Sequence, residues 1–148
     1  RDKDVVLVTG DGGFQMNIQE MATAVTQGTN ITICLLNNYY LGMVRQMQEL
    51  FYGKRYSATC LRKRPGCPND CKGPNEACPK YTPDFVKLAE SYGAYGIRVE
   101  NEADIDAAFE KAKKHKDAPT IIEFMIATDQ LVLPMVKSGN PMSEMILK

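Results

Sequence analysis

Asp4-Val5-Val6-Leu7-Val8-Thr9-Gly10-Asp11-Gly12-Gly13 is an apolar, β-branched run closed by a glycine-rich turn, and its reading decides the fold class. A run of this kind ending at glycine predicts a buried parallel strand. Beyond the turn, Ile18, Met21, Ala22 and Val25 repeat at i, i+3, i+4 and i+7, which is one face of a helix. Asn17 with Glu20 supplies a capping pair for it, and Gly28 a stop. Ile31-Thr32-Ile33-Cys34-Leu35-Leu36 predicts a second buried strand, and Tyr40, Met43, Val44, Met47 and Leu50 a second helical stripe. This β–α–β–α alternation predicts an α/β fold with a mostly parallel sheet covered by helices.

The pattern lapses over residues 57–79, where prolines, glycines and four cysteines replace it. A stretch this long without periodicity reads as an insertion within a single domain spanning 1–148. Order resumes with Thr82 as a cap, Pro83 at the first helical position, Phe85, Val86, Leu88 and Ala89 inside, and Gly93 at the end. Gly96 to Val99 predicts a short strand. Asn101 caps a helix carrying Ile105, Ala108, Phe109 and Ala112, and Pro119 to Ile126 predicts the last strand. The tail from Val132 through Met145 has scattered apolar residues that suit packing across the domain surface.

Eighteen basic residues balance eighteen acidic ones, so the charge makes no case for nucleic acid or an anionic membrane as partner. No apolar stretch approaches the roughly 20 residues of a membrane helix. The chain opens Arg1-Asp2-Lys3-Asp4, without a signal peptide or an initiating Met. It therefore reads as a piece of a longer cytoplasmic protein, or of a plastid protein in a plant.

Ligands of parallel α/β sheets bind beyond the carboxyl ends of the strands. Asp11 follows the first strand and Asn38 the second, so a carboxylate and an amide oxygen meet at one rim. Mg²⁺ takes one or two carboxylates and completes an octahedral shell with water and phosphate oxygens. With a nearby backbone carbonyl, Asp11 and Asn38 suit that ion, and Gly12 and Gly13 leave backbone N–H groups open to a diphosphate. The plainer reading is a strand-to-helix turn at Asp11-Gly12-Gly13 and a helix cap at Asn37-Asn38. Gly10-x-Gly12 lacks the third glycine of a dinucleotide fingerprint, since Gln15 stands there, and no Gly-Lys-Ser/Thr triplet exists.

Gly10-Asp11-Gly12 with Asn37-Asn38 resembles the thiamine-diphosphate signature of the thiamine-dependent decarboxylases and carboligases. Gly10 through Glu20, Leu41-Gly42-Met43-Val44-Arg45-Gln46, Glu49-Leu50-Phe51-Tyr52 and Val132-Leu133-Pro134-Met135-Val136 resemble the catalytic large subunits of the acetolactate synthase branch. The resemblance implies a three-layer thiamine-diphosphate-binding fold with helices on both faces of the sheet. It implies Mg²⁺ held by Asp11, Asn38 and the Tyr40 carbonyl, diphosphate against Gly12 and Gly13, and a cofactor site completed by Gly10, Leu41, Gly42 and Met43. Pyruvate would be decarboxylated and its two-carbon unit joined to a second 2-oxo acid, in branched-chain amino-acid synthesis. FAD, the glutamate that activates the cofactor, a homo-oligomer with the site at the subunit interface and a regulatory subunit would belong to the full-length enzyme. No catalytic residue is implied in this chain, and alone it would be inactive.

Three positions depart from that family. Gly13 stands where Ser is frequent, and Met47 where many members carry Trp beside the substrate channel; a core-facing methionine is the alternative there. The third departure is Cys60-x6-Cys67-x3-Cys71-x6-Cys78, in which only the central pair has a common zinc spacing. Zinc, an iron–sulfur cluster, free thiols and disulfides all remain open for it. Another thiamine-dependent 2-oxo-acid enzyme, or a non-catalytic metal-binding module built on the cysteine loop, are the alternative functions. Arg62-Lys63-Arg64 and Lys113-Lys114-His115-Lys116 read as solvated surface, with no catalytic role for His115.

Overall fold

The computed structural model describes residues 3–68, 71, 75, 77, 78 and 83–147. Four parallel strands form the sheet: β1 (Val6–Gly10), β2 (Thr32–Asn37), β3 (Tyr95–Val99) and β4 (Thr120–Met125), in spatial order β1-β2-β4-β3. Helices α1 (Asp11–Gln15), α2 (Glu20–Thr26), α3 (Gly42–Phe51), α4 (Phe85–Ser91) and α5 (Ile105–Ala112) connect or follow them. No helix among the described residues is long and apolar enough to cross a membrane.

Alternation along the strands divides the core in two. Ile33, Leu35 and Ile121 point to one face and pack with Phe14, Met21, Phe85 and Ala89 of α1, α2 and α4. Phe14 and Phe85 meet edge to face there, with ring centroids 5.8 Å apart. Ile122 and Val99 point to the other face, against Ala108 and Ala112 of α5. The helices thus cover both faces, as a parallel sheet requires. Gly96 of β3 lets α4 approach closely: a Cβ there would lie 2.8 Å from the Val86 carbonyl oxygen and 2.9 Å from its Cα.

Several local expectations need correction. β1 is an edge strand bonded on one side only, so Val6, Leu7 and Val8 remain 50%, 44% and 64% exposed rather than buried. The glycine turn after it is the short helix α1. Asn17 does not cap α2, which starts after Gln19 without a side-chain cap bond. Helix α4 is capped by Asp84, whose Oδ1 accepts from the Lys87 N–H at 3.3 Å; Thr82 lies outside the described residues. The carboxylate has displaced the expected threonine because it sits one residue before the helix, where N2 and N3 donors point at it.

The stripe on α3 also faces the other way. Met43, Val44 and Met47 are 48%, 49% and 38% exposed, whereas Arg45 and Gln46 are buried. Periodicity identified a helical face but not what lies against it.

Candidate functional site

The carboxyl ends of β1 and β2 adjoin in the sheet, and the two polar clusters follow them. Asp11 is the first residue of α1 and only 2% exposed. Its Oδ1 accepts from the Gly12 N–H at 2.9 Å, and its Oδ2 from the Tyr39 N–H at 2.8 Å. The Gly12 N–H is thus engaged by Asp11 itself rather than left open. Among the described residues no ion pair is formed by Asp11. Burial pushes its carboxyl up to about 6, against the pull of the Gly12 and Tyr39 N–H groups, and the negative charge of Glu123 adds to the rise.

β2 hands over to a tight turn. Tyr39 is left-handed at φ 64, an uncommon conformation for a tyrosine. The Tyr39 N–H is held by Asn37 Oδ1 at 3.0 Å as well as by Asp11, and Asn38 Oδ1 accepts from the Tyr40 N–H at 3.0 Å. Gly42 leaves space for Asn38, since a Cβ on Gly42 would sit 2.9 Å from the amide nitrogen. Asp11, Asn38 and Tyr40 thereby line the same rim. A carboxylate with an amide oxygen suits a hard cation that draws further oxygens from water and phosphate.

Gly10, Asp11, Gly12, Gly13, Asn38, Tyr40, Leu41, Gly42 and Met43 all line one cleft of about 430 Å³. Ile126, Ala127, Gln130 and Val132 line it too; the expected last strand ends at Ile126 and the expected tail begins at Val132, which leaves Ala127 and Gln130 without a predicted role. The buried Gln46 amide holds Val132 there: Nε2 donates to the Val132 carbonyl at 2.8 Å, and Oε1 accepts from the Val132 N–H at 2.6 Å. The polar residue inside an apolar helical pattern was the available signal.

The family model for "Thiamine pyrophosphate enzyme, C-terminal TPP binding domain" matches residues 1–124. The chain belongs to this family. Thiamine pyrophosphate, or thiamine diphosphate, is accordingly the ligand class of the domain. The chain is 42% identical over 143 residues to the acetolactate synthase large subunit of Corynebacterium glutamicum, covering 97% of the chain and 21% of that protein. It is 38% identical over 143 residues to the acetolactate synthase large subunit of Haemophilus influenzae, covering 97% and 22%. It thus spans about a fifth of the length of these relatives. A thiamine diphosphate-dependent 4-hydroxybenzoylformate decarboxylase from Rhodococcus jostii RHA1 superposes with TM-score 0.63 at 27% identity, over 86% of this chain and 20% of that one. A benzoylformate decarboxylase from Polynucleobacter necessarius shares the fold, with TM-score 0.69 at 24% identity over 90% and 21% of the two chains.

Met47 lines a groove with Val44, Gln48, Tyr52 and Arg55, of which Val44 also lines the cleft, and does not face the core. Beside it Arg45 lies between the rings of Tyr40 and Tyr56, 5.1 and 4.6 Å from their centroids, and pairs with Glu49 at 3.2 Å. His115 stacks on Tyr95 at 3.6 Å and has Nδ1 3.0 Å from Thr120 Oγ1, remote from the cation rim.

Among the described residues no three His, Cys, Asp or Glu side chains form a metal-holding group, and Cys60, Cys67, Cys71 and Cys78 form no disulfide. Cys67 Sγ accepts from the Arg64 N–H at 3.3 Å and Cys78 Sγ from the Asn75 N–H at 3.5 Å, each within its own turn. The start of the loop is nevertheless ordered against the site. The Leu41 N–H donates to the Thr59 carbonyl at 2.9 Å and the Leu61 N–H to the Tyr39 carbonyl at 2.8 Å, bracketing an antiparallel bridge between Tyr40 and Cys60. Burial, with Cys60 and Cys71 nearby, pushes the Tyr40 phenol up to about 12.

Proposed function

We propose that the chain is the thiamine-diphosphate/Mg²⁺-binding part of an acetolactate synthase catalytic subunit. Its reaction would decarboxylate pyruvate and join the two-carbon unit to a second 2-oxo acid in branched-chain amino-acid biosynthesis. The observation that carries this is the buried Asp11 carboxylate, tied to the turn after β2 and paired with no cationic side chain among the described residues. Similarity to acetolactate synthase large subunits along nearly the whole chain supports the choice of reaction.

In this reading Asp11, Asn38 and the Tyr40 carbonyl hold Mg²⁺, and Gly12 and Gly13 lie along the diphosphate. Gly10, Leu41, Gly42 and Met43 complete the cofactor wall, with Met43 toward the substrate and Met47 on the channel leading to it. When bound, the cofactor supplies an electron sink for decarboxylation, and the protein's part is to hold and orient it. Ile126, Ala127 and Val132 give that cleft an apolar side. An activating glutamate, FAD, a second copy of the chain at the site and a regulatory subunit belong to the full-length assembly. Among the described residues the loop cysteines form no group of three metal-holding side chains, so a zinc or iron–sulfur module is the less supported reading.

Titration of the full-length enzyme with thiamine diphosphate tests the reading. Binding should require Mg²⁺ and vanish in chelator; binding indifferent to Mg²⁺ would sink it. The 148-residue chain alone should produce no acetolactate from pyruvate in a colorimetric assay, because it spans about a fifth of its relatives' length and this reading puts the activating group outside it.

Acidification should weaken the cation. The Asp11 carboxyl is raised from 3.8 to about 6 in the cofactor-free fold, so below that pH a proton occupies the ligand. The folded state gains stability from this proton as pH falls from about 6 toward 3.8, and lacks that gain at neutral pH. Apparent Mg²⁺ affinity should be level above pH 7 and fall roughly tenfold per pH unit below 6. Calorimetry in two buffers of different ionisation enthalpy should show about half a proton released per ion at pH 6, approaching one by pH 5; a flat profile from 7 to 5 would remove Asp11 as a ligand.

A further inference from the structure

We propose that Glu123 is a positioning residue for the cation loop: its carboxylate sets the direction of the Asn37 amide, which holds Tyr39 and with it Asn38 and Tyr40. The metal-binding consequence rests on the function proposed above; the positioning itself does not. Glu123 sits within the apolar strand β4 with no exposed surface, a costly place for a carboxylate. Its two oxygens do different things. Oε2 accepts from Arg98 Nε at 2.9 Å, and Arg98 in turn reaches Asp84, the α4 cap, at 2.7 Å. Oε1 accepts from Asn37 Nδ2 at 2.7 Å.

With its nitrogen committed to Glu123, the buried Asn37 must turn its oxygen toward the loop, where it receives the Tyr39 N–H at 3.0 Å. An amide at this position has two orientations, and its neighbours choose between them. Both strands contribute because Asn37 and Glu123 project from the same face of adjacent, parallel β2 and β4. A carboxylate is required, since Arg98 and Asn37 both present donors. If Glu123 were only the counter-ion of Arg98, the Asn37 side would be dispensable.

Glu123→Gln separates the two roles in the full-length protein. Its single oxygen would go to Arg98, leaving an NH₂ facing the Asn37 NH₂ and driving that amide to flip away from Tyr39. The charge-conserving pair Glu123→Gln/Asn37→Asp restores the pattern, because the new carboxylate accepts from both the glutamine and the Tyr39 N–H. In the cofactor-free protein, hydrogen exchange of the Tyr39 amide should speed up about tenfold in Glu123→Gln and return to within about threefold of the parent in the pair. The Mg²⁺ concentration needed to half-saturate thiamine diphosphate binding should rise and recover in parallel.

Unchanged Tyr39 exchange in Glu123→Gln would overturn the proposal. So would a pair that protects Tyr39 no better than the single variant. If Glu123→Gln does not fold, a folded pair with parental Tyr39 protection supports the assignment and an unfolded pair overturns it. Should the parent enzyme bind thiamine diphosphate without Mg²⁺, the proposed function falls, while Tyr39 exchange still decides the role of Glu123.

Discussion

Asp11→Asn in the full-length enzyme is expected to weaken Mg²⁺-dependent binding of thiamine diphosphate by on the order of 100-fold, about 2.7 kcal/mol. The same change should leave the cofactor-free protein within about 1 kcal/mol of the parent. The substitution keeps the volume of a side chain that is almost wholly buried and removes its charge. Two N–H donors, from Gly12 and Tyr39, then compete for one oxygen, so one hydrogen bond is lost. Against that loss stands relief from burying a carboxylate whose titration is already displaced to about 6 by desolvation. Calorimetric titration and urea unfolding on the same samples separate the outcomes. Retained Mg²⁺ dependence would dismiss Asp11 as a ligand; loss of binding together with several kcal/mol of stability would reassign it to the fold.

Gly96→Ala carries the largest expected effect on stability, about 3 kcal/mol. The added carbon would meet the Val86 carbonyl oxygen at 2.8 Å and the Val86 Cα and Cγ1 at 2.9 Å. Two of those atoms are backbone, so no rotamer change relieves the overlap and α4 must move away from β3. Phe85 and Ala89, buried on that helix against Leu35 and Ile121, would lose their packing with it. Gly53→Ala provides the contrast: its φ of 59 strains an alanine, but a Cβ there meets nothing within 4 Å. It should cost up to about 1 kcal/mol. Urea melts giving Gly96→Ala a loss no larger than that of Gly53→Ala would refute the close approach of α4 and β3.

All four strands were readable from runs of β-branched and apolar residues, to within one or two positions at their ends. Parallel order then placed Asp11 and Asn38 at the same rim, because a strand-end residue is located by chain direction alone. The orientation of α3 was not readable in that way. Its apolar stripe is genuine, but the interior takes Gln46, whose hydrogen bonds come from Val132 far along the chain, and Arg45, which packs against Tyr40 and Tyr56. Helix α1 was missed because Gly12 and Gly13 are poor helix formers, and the hydrogen bond from the Tyr39 N–H to the Asp11 carboxylate at its start is non-local. Glu123 offered a clue that went unused: a charge in the middle of Thr120-Ile121-Ile122-Glu123-Phe124-Met125 can be buried only if partners reach it from other strands.

The open side of β1 bears on how the chain behaves in solution. Val5, Val6, Leu7 and Val8 are 44–64% exposed, with no proline or charge among them. Edge strands of this composition are templates for intermolecular pairing, and short uncharged β-branched segments can stack into cross-β fibrils. The charged run Arg1-Asp2-Lys3-Asp4 precedes the segment as gatekeepers on one side. Expressed by itself, the chain should therefore be limited by solubility before it is limited by folding, and a lysine at Val6 or Val8 is where a soluble version would begin.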